Sequence, residues 1–190
     1  MYSREVVEQT TPAEDLLERA CVVYPYRPGA NRDNRTRKGR PMTANGRGFL
    51  VEAGTGRPTR VPIPNMLFKA VGSDTKGAYA LCEYMVTYDI PAHTHHREDE
   101  AVFVLDGAVT IRVGDELFTL DRGDFLFMPQ GVPHSIQMAS EESIRILALS
   151  SPSGFEYFME DLTEVLSTGH DRTSAEVSAV MTKHQWQPVR

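Results

Sequence analysis

The chain has 190 residues, of which 41% are apolar and 24% charged, and its formal net charge is −6. This composition is typical of one globular domain with a sizeable core. An acidic balance disfavours nucleic acid as a partner, because phosphate binding relies on Lys and Arg to release counterions. No apolar run approaches the length needed to span a membrane.

The amino-terminal part differs from the rest in charge. Residues 1–60 hold 11 Lys/Arg and 7 Asp/Glu, whereas residues 61–190 hold 9 and 19, which gives net charges of +4 and −10. A capped helix signal, TPAEDLLERA, precedes an Arg/Asn/Gly-rich stretch with almost no apolar side chains. We predict that residues 1–47 form a partly flexible extension and that the folded unit starts near Met42. An RNA-binding arm in residues 27–41 is the alternative, although this run contains no aromatic side chain.

The cysteines and the first residues indicate the compartment. Cys21 and Cys82 are 61 positions apart and show no metal-binding spacing, which fits a reducing environment. Seven charged side chains within residues 1–20 argue against a secretory signal. We therefore expect a cytoplasmic protein with no nucleic-acid or membrane partner.

From residue 48 the chain changes to short segments rich in Val, Ile, Phe and Tyr, each bounded by turn residues. They are GFLVEAG, NMLFKAVG, AYALCEYMVTY, AVFVLDG, AVTIRVG, ELFTL, GDFLFMPQG, HSIQM and IRILALS. Many short strands at this spacing predict an all-β barrel or sandwich. Turn signals at Asp106-Gly107, Gly114-Asp115 and Arg122-Gly123-Asp124 predict an antiparallel meander of hairpins.

Two helices are predicted after the strands. In GFEYFMEDLTEVLS the apolar residues recur at helical spacing, so this segment is expected to pack as an amphipathic lid on the sheets. We assign residues 48–168 to the barrel and this helix. Residues 169–190 form a tail with a weaker helix signal, SAEVSAVMTKH, and its His170 and His184 carry no site signal.

Histidines and acids are concentrated in PAHTHHREDE, residues 91–100. His93 and His95 are two apart, so on a strand both side chains point to the same face. Glu100 follows after a short loop, and His134 follows a further strand and the turn PQGVP. Three imidazoles and one carboxylate suit a divalent transition-metal ion, so His93, His95, Glu100 and His134 are the predicted metal ligands.

The neighbours of these residues are assigned differently. His96 has the opposite strand parity to His95 and is predicted to face solvent or to lie outside the ligand set. Glu98 and Asp99 are predicted to form a solvated loop before the next strand.

These residues resemble the two motifs of the cupins. The first, G(X)5HXH(X)3-4E(X)6G, is met by His93, His95, Glu100 and Gly107, and the second, G(X)5PXG(X)2H(X)3N, by Gly123, Pro129, Gly131 and His134. Thr87 and Met138 replace the opening glycine of the first motif and the asparagine of the second. The resemblance covers about residues 48–158 and is strongest to small single-domain, quercetin-dioxygenase-like cupins. It implies a double-stranded β-helix, a jelly-roll-like barrel, with one ion near one mouth. The helix signals outside the barrel add peripheral N- and C-terminal helices to this all-β fold.

The predicted ligand set indicates catalysis rather than metal storage, because it leaves coordination positions open. The ion itself stays open among Fe, Ni, Mn, Co, Cu and Zn. We predict a metal-dependent dioxygenase acting on a hydroxylated aromatic, enol or polyketide-like small molecule, with Glu100 as ligand and catalytic proton acceptor. A non-oxidative cyclase or isomerase and a non-catalytic small-molecule-binding cupin are the alternatives.

Apolar side chains in the strands suggest both a pocket and an interface. Candidate pocket-lining residues are Tyr84, Phe103, Phe125, Phe127 and Met138, although simple core packing is the favoured interpretation of such side chains in a barrel. Ala101, Phe103 and Leu105 are expected on the outer face of the strand that carries Glu100. This apolar outer row predicts a homodimer, and cover by the amino-terminal strands or by the helix GFEYFMEDL is the alternative.

Overall fold

A computed structural model of the protein describes residues 48–138, 143–171 and 173–189. The helix and the basic stretch predicted within residues 1–47 lie outside this part of the chain. No helix within it is long and apolar enough to cross a membrane.

The described residues form ten strands and three helices. The strands are β1 (Met66–Ala70), β2 (Ala80–Val86), β3 (Ile90–His95), β4 (Asp99–Asp106), β5 (Val109–Val113), β6 (Glu116–Leu120), β7 (Phe125–Met128), β8 (His134–Met138), β9 (Ile144–Ser151) and β10 (Trp186–Pro188). The helices are α1 (Gly72–Thr75), α2 (Phe155–Ser167) and α3 (Ala175–Lys183).

The strands make two five-stranded antiparallel sheets. Sheet one has the order β1-β2-β9-β4-β7, and sheet two has the order β10-β3-β8-β5-β6. Strand β9, which comes late in the chain, lies between β2 and β4. The core lies between the sheets, so the fold is the all-β double-stranded β-helix that the sequence predicts.

The predicted meander of hairpins is only partly right. Strands β5 and β6 pair across the Gly114-Asp115 turn, where Gly114 has a φ of +57°. The chain crosses from one sheet to the other at Asp106-Gly107, between β4 and β5, and again between β6 and β7. Turn residues specify a reversal but not the strand that the chain pairs with next, and here alternating between sheets lets both inner faces be buried.

The first predicted strand, GFLVEAG, is not a strand. This segment is coil and turn, and Leu50 is 74% exposed. Phe49 instead lies under the guanidinium of Arg57, with 5.0 Å between that group and the ring centroid. The Arg57 side chain also holds Asp74 at 2.6 and 2.8 Å. The segment is therefore attached through side chains and does not add to a sheet edge.

The core follows the strict alternation of the strands. The inward-facing residues of β2 and β9 are buried along their whole length. On β4, Val102 and Val104 are fully buried on the face that carries Glu100, as the sequence predicts.

Phe103, Phe125 and Phe127 neither line a pocket nor pack in the core. Their exposed fractions are 39%, 64% and 51%. Met128 is fully buried and occupies the inner face of β7, so Phe125 and Phe127, of one parity on this strand, point outward with Phe103. For the other two candidates the core alternative holds, since Tyr84 is buried and Met138 packs against the core.

Helix α2 confirms the predicted amphipathic segment and covers one mouth of the barrel. Phe155 and Phe158 of this helix contact the rings of Phe68, His95 and Trp186 at that mouth, and Phe158 also contacts the ring of His184. Helix α3 also follows its signal, and Ser174 caps it by accepting a hydrogen bond from the amide of Val177. The chain then adds β10 to the edge of sheet two, antiparallel to β3.

Candidate metal centre

The structure brings the four predicted ligands together at the mouth covered by α2. His93 and His95 lie on β3, Glu100 near the start of β4 and His134 at the start of β8. The pairing register places His93 directly opposite His134. One nitrogen or oxygen atom from each of the four side chains lies within 4.8 Å of the others.

His93 and His134 are oriented by the same kind of hydrogen bond. The Nδ1–H of His93 donates to the carbonyl of Pro91 at 2.8 Å, and the Nδ1–H of His134 donates to the carbonyl of Val132 at 3.1 Å. The hydrogen-bond pattern assigns the proton to Nδ1 in both rings. Each Nε2 lone pair is therefore directed toward the shared centre, which is how outer hydrogen bonds prepare imidazole to hold a metal.

Nitrogen atoms of two imidazoles lie close to one carboxylate oxygen of Glu100 in this centre. His134 Nε2 is buried without a hydrogen-bond partner and lies 3.2 Å from Glu100 Oε2. His95 Nε2 lies 3.6 Å from the same oxygen. Converging lone pairs and a carboxylate repel one another unless a cation or a proton lies between them. The donor set therefore fits a divalent transition-metal ion.

The pKa shifts show the same electrostatic pattern. Burial lowers the pKa of His93 to about 3, helped by His134 and His95. Burial also lowers the pKa of His95. Burial alone would raise the pKa of Glu100, but the histidines reverse the shift and lower it to about 2. His134 is the exception, because Glu100 outweighs its burial and raises its pKa. Two neutral imidazoles and an ionised carboxylate at neutral pH are the forms that bind metal.

An aromatic wall, which we define as Phe155, Phe158 and Trp186, closes one side of the centre. Trp186 stacks on His93 with 4.6 Å between ring centroids and an interplanar angle of 21°. Its Nε1–H donates to His95 Nε2 at 3.1 Å. Sequence reasoning missed this residue, and the only signal was a single tryptophan in a polar–apolar alternation after the last helix.

His184 supports the aromatic wall. It is buried, its Nε2 lies 2.7 Å from Asp161 Oδ2, and its ring meets Phe158 edge-on. Packing behind the wall explains its burial, and the structure does not bring it to the metal centre. His170 lies near Glu176 instead, at 3.5 Å.

The prediction for the loop before β4 needs correction. Glu98 is only 5% exposed. Asp99 is the first residue of β4, and its carboxylate accepts a hydrogen bond from the backbone amide of Gln130 at 2.9 Å. Glu98 is buried because it packs under the start of α2, where a β-carbon at Gly154 would lie 2.7 Å from Glu98 Oε1. Burial raises the pKa of Glu98 to about 7 despite the nearby Arg97.

His96 is exposed, in keeping with its strand parity. Its Nε2 lies 2.9 Å from Gln187 Oε1, outside the barrel. The side chain is therefore separated from the centre by the backbone of β3.

A cavity of about 10 Å³ lies beside Glu100. Cys82, Ser150 and Phe155 are among its lining residues, and Ser150 Oγ is buried without a hydrogen-bond partner. This volume suits one water molecule. Burial raises the pKa of the Cys82 thiol far above its usual range, and Cys82 is not among the four side chains whose donor atoms converge.

Residues 80–150, which carry all four predicted ligands, match the family model described as a cupin domain. This part of the chain has the cupin fold. The match supports the cupin superfamily as the origin of the domain and agrees with the resemblance carried by the two motifs. The narrower resemblance, to quercetin-dioxygenase-like cupins, rests on a short local similarity.

Three similar proteins illustrate how far the cupin likeness extends. An uncharacterized protein of Methanocaldococcus jannaschii is 31% identical over 74 residues, which are 39% of this chain and 56% of that protein. Quercetin 2,3-dioxygenase of Bacillus subtilis is 36% identical over 53 residues, which are 28% of this chain and 16% of the enzyme. The crystal structure of a cupin-2 domain containing protein from Shewanella frigidimarina is 26% identical, has a TM-score of 0.36, and covers 39% of this chain and 71% of its own. The chain thus spans about half the length of the first relative.

Proposed function

We propose that this cupin binds one divalent transition-metal ion through His93, His95, Glu100 and His134 and acts as a dioxygenase on a hydroxylated aromatic, enol or polyketide-like small molecule. The observation that carries the proposal is the convergence of three imidazoles and one carboxylate within 4.8 Å at a buried mouth. The ion would supply Lewis acidity and open positions for a substrate oxygen and dioxygen.

The protein's own groups have separate tasks in this proposal. The carbonyls of Pro91 and Val132 hold two imidazoles in the ligating orientation. Glu100 stays ionised at neutral pH, since the histidines hold its pKa near 2 against burial. The carboxylate would then accept a hydrogen bond, and a proton, from a substrate hydroxyl. The aromatic wall limits the access of water from the side of β10.

Metal analysis and oxygen uptake test the proposal. The purified protein is expected to hold about one transition-metal ion per chain, measured by plasma mass spectrometry. Dissolved oxygen should fall when the protein receives one member of a panel of flavonols, quinones and diketones, and the Glu100→Ala variant should not consume oxygen. The short similarity to quercetin 2,3-dioxygenase supports flavonols as the first choice. Product formation without oxygen uptake would indicate a cyclase or isomerase instead.

We also propose that the protein forms a homodimer through the outer face of sheet one. Phe103 lies opposite Phe125 on this face, and both are exposed together with Phe127. The ring contacts of α2 are at the barrel mouth, which argues against that helix as the cover. Exposed aromatic rings on neighbouring strands favour a self-complementary interface, for which a standard area is about 1,600 Å².

Light scattering with size-exclusion chromatography decides the assembly. The expected mass is about twice the 21.3 kDa of one chain, and Phe125→Lys combined with Phe127→Lys should give the monomer. Leu117→Lys is a matched control, because Leu117 is 54% exposed on β6 of the other sheet. A wild-type mass of one chain would refute the dimer.

A further inference from the structure

The lone pair of His95 is held differently from those of its two partners. His93 and His134 are oriented through Nδ1, the nitrogen that faces away from the centre. The hydrogen bond to His95 is made at Nε2, the nitrogen that faces Glu100, and its donor is the indole Nε1–H of Trp186 at 3.1 Å.

This hydrogen bond and a metal ion would need the same electron pair. The Nε2 of a neutral imidazole has one lone pair in the ring plane, so it can accept a hydrogen bond or bind a metal but cannot do both. For His93 and His134 the outer hydrogen bonds assist metal binding, whereas for His95 the hydrogen bond opposes it.

The location of Trp186 keeps the indole in place without making it immovable. It lies on the edge strand β10, directly opposite His95, and is only partly buried. Stacking on His93 and Phe158 holds the ring beside the centre. Strand β10 has three residues, so a small displacement at the end of the chain would free the nitrogen.

We propose that Trp186 is a positioning residue that competes with the metal for His95 Nε2 and so lowers the metal affinity of the centre. This inference rests on the proposed metal site. When an ion enters the centre, it breaks the indole hydrogen bond and changes the environment of Trp186. Strand β10 is thereby coupled to metal occupancy. A residue that merely supported the fold would have the opposite effect, because its loss would weaken metal binding.

The test measures Zn²⁺ affinity by competition with a chelating dye for three forms of the full chain. Trp186→Phe keeps an aromatic ring over His93 but has no N–H, so it is expected to bind Zn²⁺ about two- to tenfold tighter, the equivalent of one net hydrogen bond. Gln187→Ala is the matched control. It removes the contact of β10 with His96, just after the end of β3 and outside the barrel, and should bind Zn²⁺ as the wild type does.

Fluorescence gives a second readout that does not depend on activity. Trp186 is the only tryptophan of the chain, so all indole emission is its own. Zn²⁺ has a filled d shell and no redox chemistry, so a change in emission on its addition reports a changed environment of Trp186. In the wild type and in Gln187→Ala, the emission is expected to change and to saturate at one ion per chain.

The possible results separate the two proposals. Equal or weaker Zn²⁺ binding by Trp186→Phe would overturn the competition while leaving the metal site intact. Tighter binding by Gln187→Ala would assign the effect to a loosened strand and would also overturn it. Absence of Zn²⁺ binding in every form would overturn the proposed metal site together with this inference.

Discussion

The segment from β3 to β8 and the segment from α2 to β10 surround the same metal centre but contribute different kinds of group to it. The first supplies the four candidate ligands from strands whose spacing follows a known pattern. The second supplies rings and one N–H group, and none of its described residues, 155–171 and 173–189, belongs to the ligand cluster. The comparison teaches that ligand identity is encoded locally, by strand parity, whereas control of the ligands comes from a segment that reaches the site through sheet pairing.

Alanine substitutions of His95, the last residue of β3, and of its neighbour His96 give the sharpest test of strand parity. His95→Ala is expected to weaken metal binding by more than about 100-fold, since loss of an outer-shell partner alone costs about 10- to 100-fold. His96→Ala removes an exposed imidazole that contacts Gln187 and should leave the affinity unchanged. Dye competition on both variants measures the contrast. Equal losses from the two substitutions would show that parity does not define the ligand set.

Strand parity also explains which sequence predictions hold. The positions of His93, Glu100 and His134 follow from alternation and loop length, which are properties of short stretches of chain. Alternation does not say which face of an isolated strand will be covered, and for this reason the sequence does not predict that Phe125 and Phe127 point outward.

Contacts between distant parts of the chain are what the sequence could not provide. Glu98 is buried because α2, which begins 57 residues later, packs over its loop. Trp186 reaches His95 through the pairing of β10 with β3, across 91 positions. Neither contact leaves a local periodicity or motif, because the partners meet only when the barrel closes.

Truncation of Trp186 tests how much the second segment stabilises the first. Trp186→Ala removes the stacks on His93 and Phe158, and we expect the free energy of unfolding to fall by about 2–4 kcal/mol, near the lower end for buried aromatics because the side chain is only partly buried. Gln187→Ala, one residue along the same strand, should change it by less than about 0.5 kcal/mol. Urea unfolding monitored by circular dichroism measures both. A negligible loss of stability would show that the indole of Trp186 does not hold β10 against the barrel.

Acidification in the presence of a chelator tests the burial of His93. Its pKa is lowered from 6.5 to about 3 in the folded protein. Between pH 6.5 and pH 3 His93 is therefore protonated in the unfolded chain but neutral in the folded chain. The contribution of His93 to stability is therefore complete above pH 6.5 and declines as the pH falls, by about 1 kcal/mol between pH 7 and 5.5. His93→Gln should show a smaller decline over the same range, and an identical decline would contradict the depressed pKa.

Glu98 lies where the two segments meet and should show the smallest effect, with the opposite sign. The charged groups that act on this carboxyl are Arg97, Glu156 and Glu100, and burial outweighs Arg97 to raise its pKa from 4.5 to about 7. Because the folded state holds this proton more tightly, the contribution of Glu98 to stability is complete below pH 4.5 and is lost as the pH rises through about 7. The glutamine side chain of Glu98→Gln cannot ionise, so this variant does not lose stability as the pH rises.

The variant should therefore melt at a higher temperature than the wild type at pH 8, and the difference should shrink at pH 5. Solvent screening at the barrel rim keeps the expected gain below about 1 kcal/mol. Glu116→Gln, an exposed change on β6, is the matched control and should leave the melting temperature unaltered at both pH values. If Glu98→Gln instead lowered the melting temperature at pH 8, the ionised carboxylate would be a favourable partner of Arg97, and the start of α2 would hold the loop through charge as well as through packing.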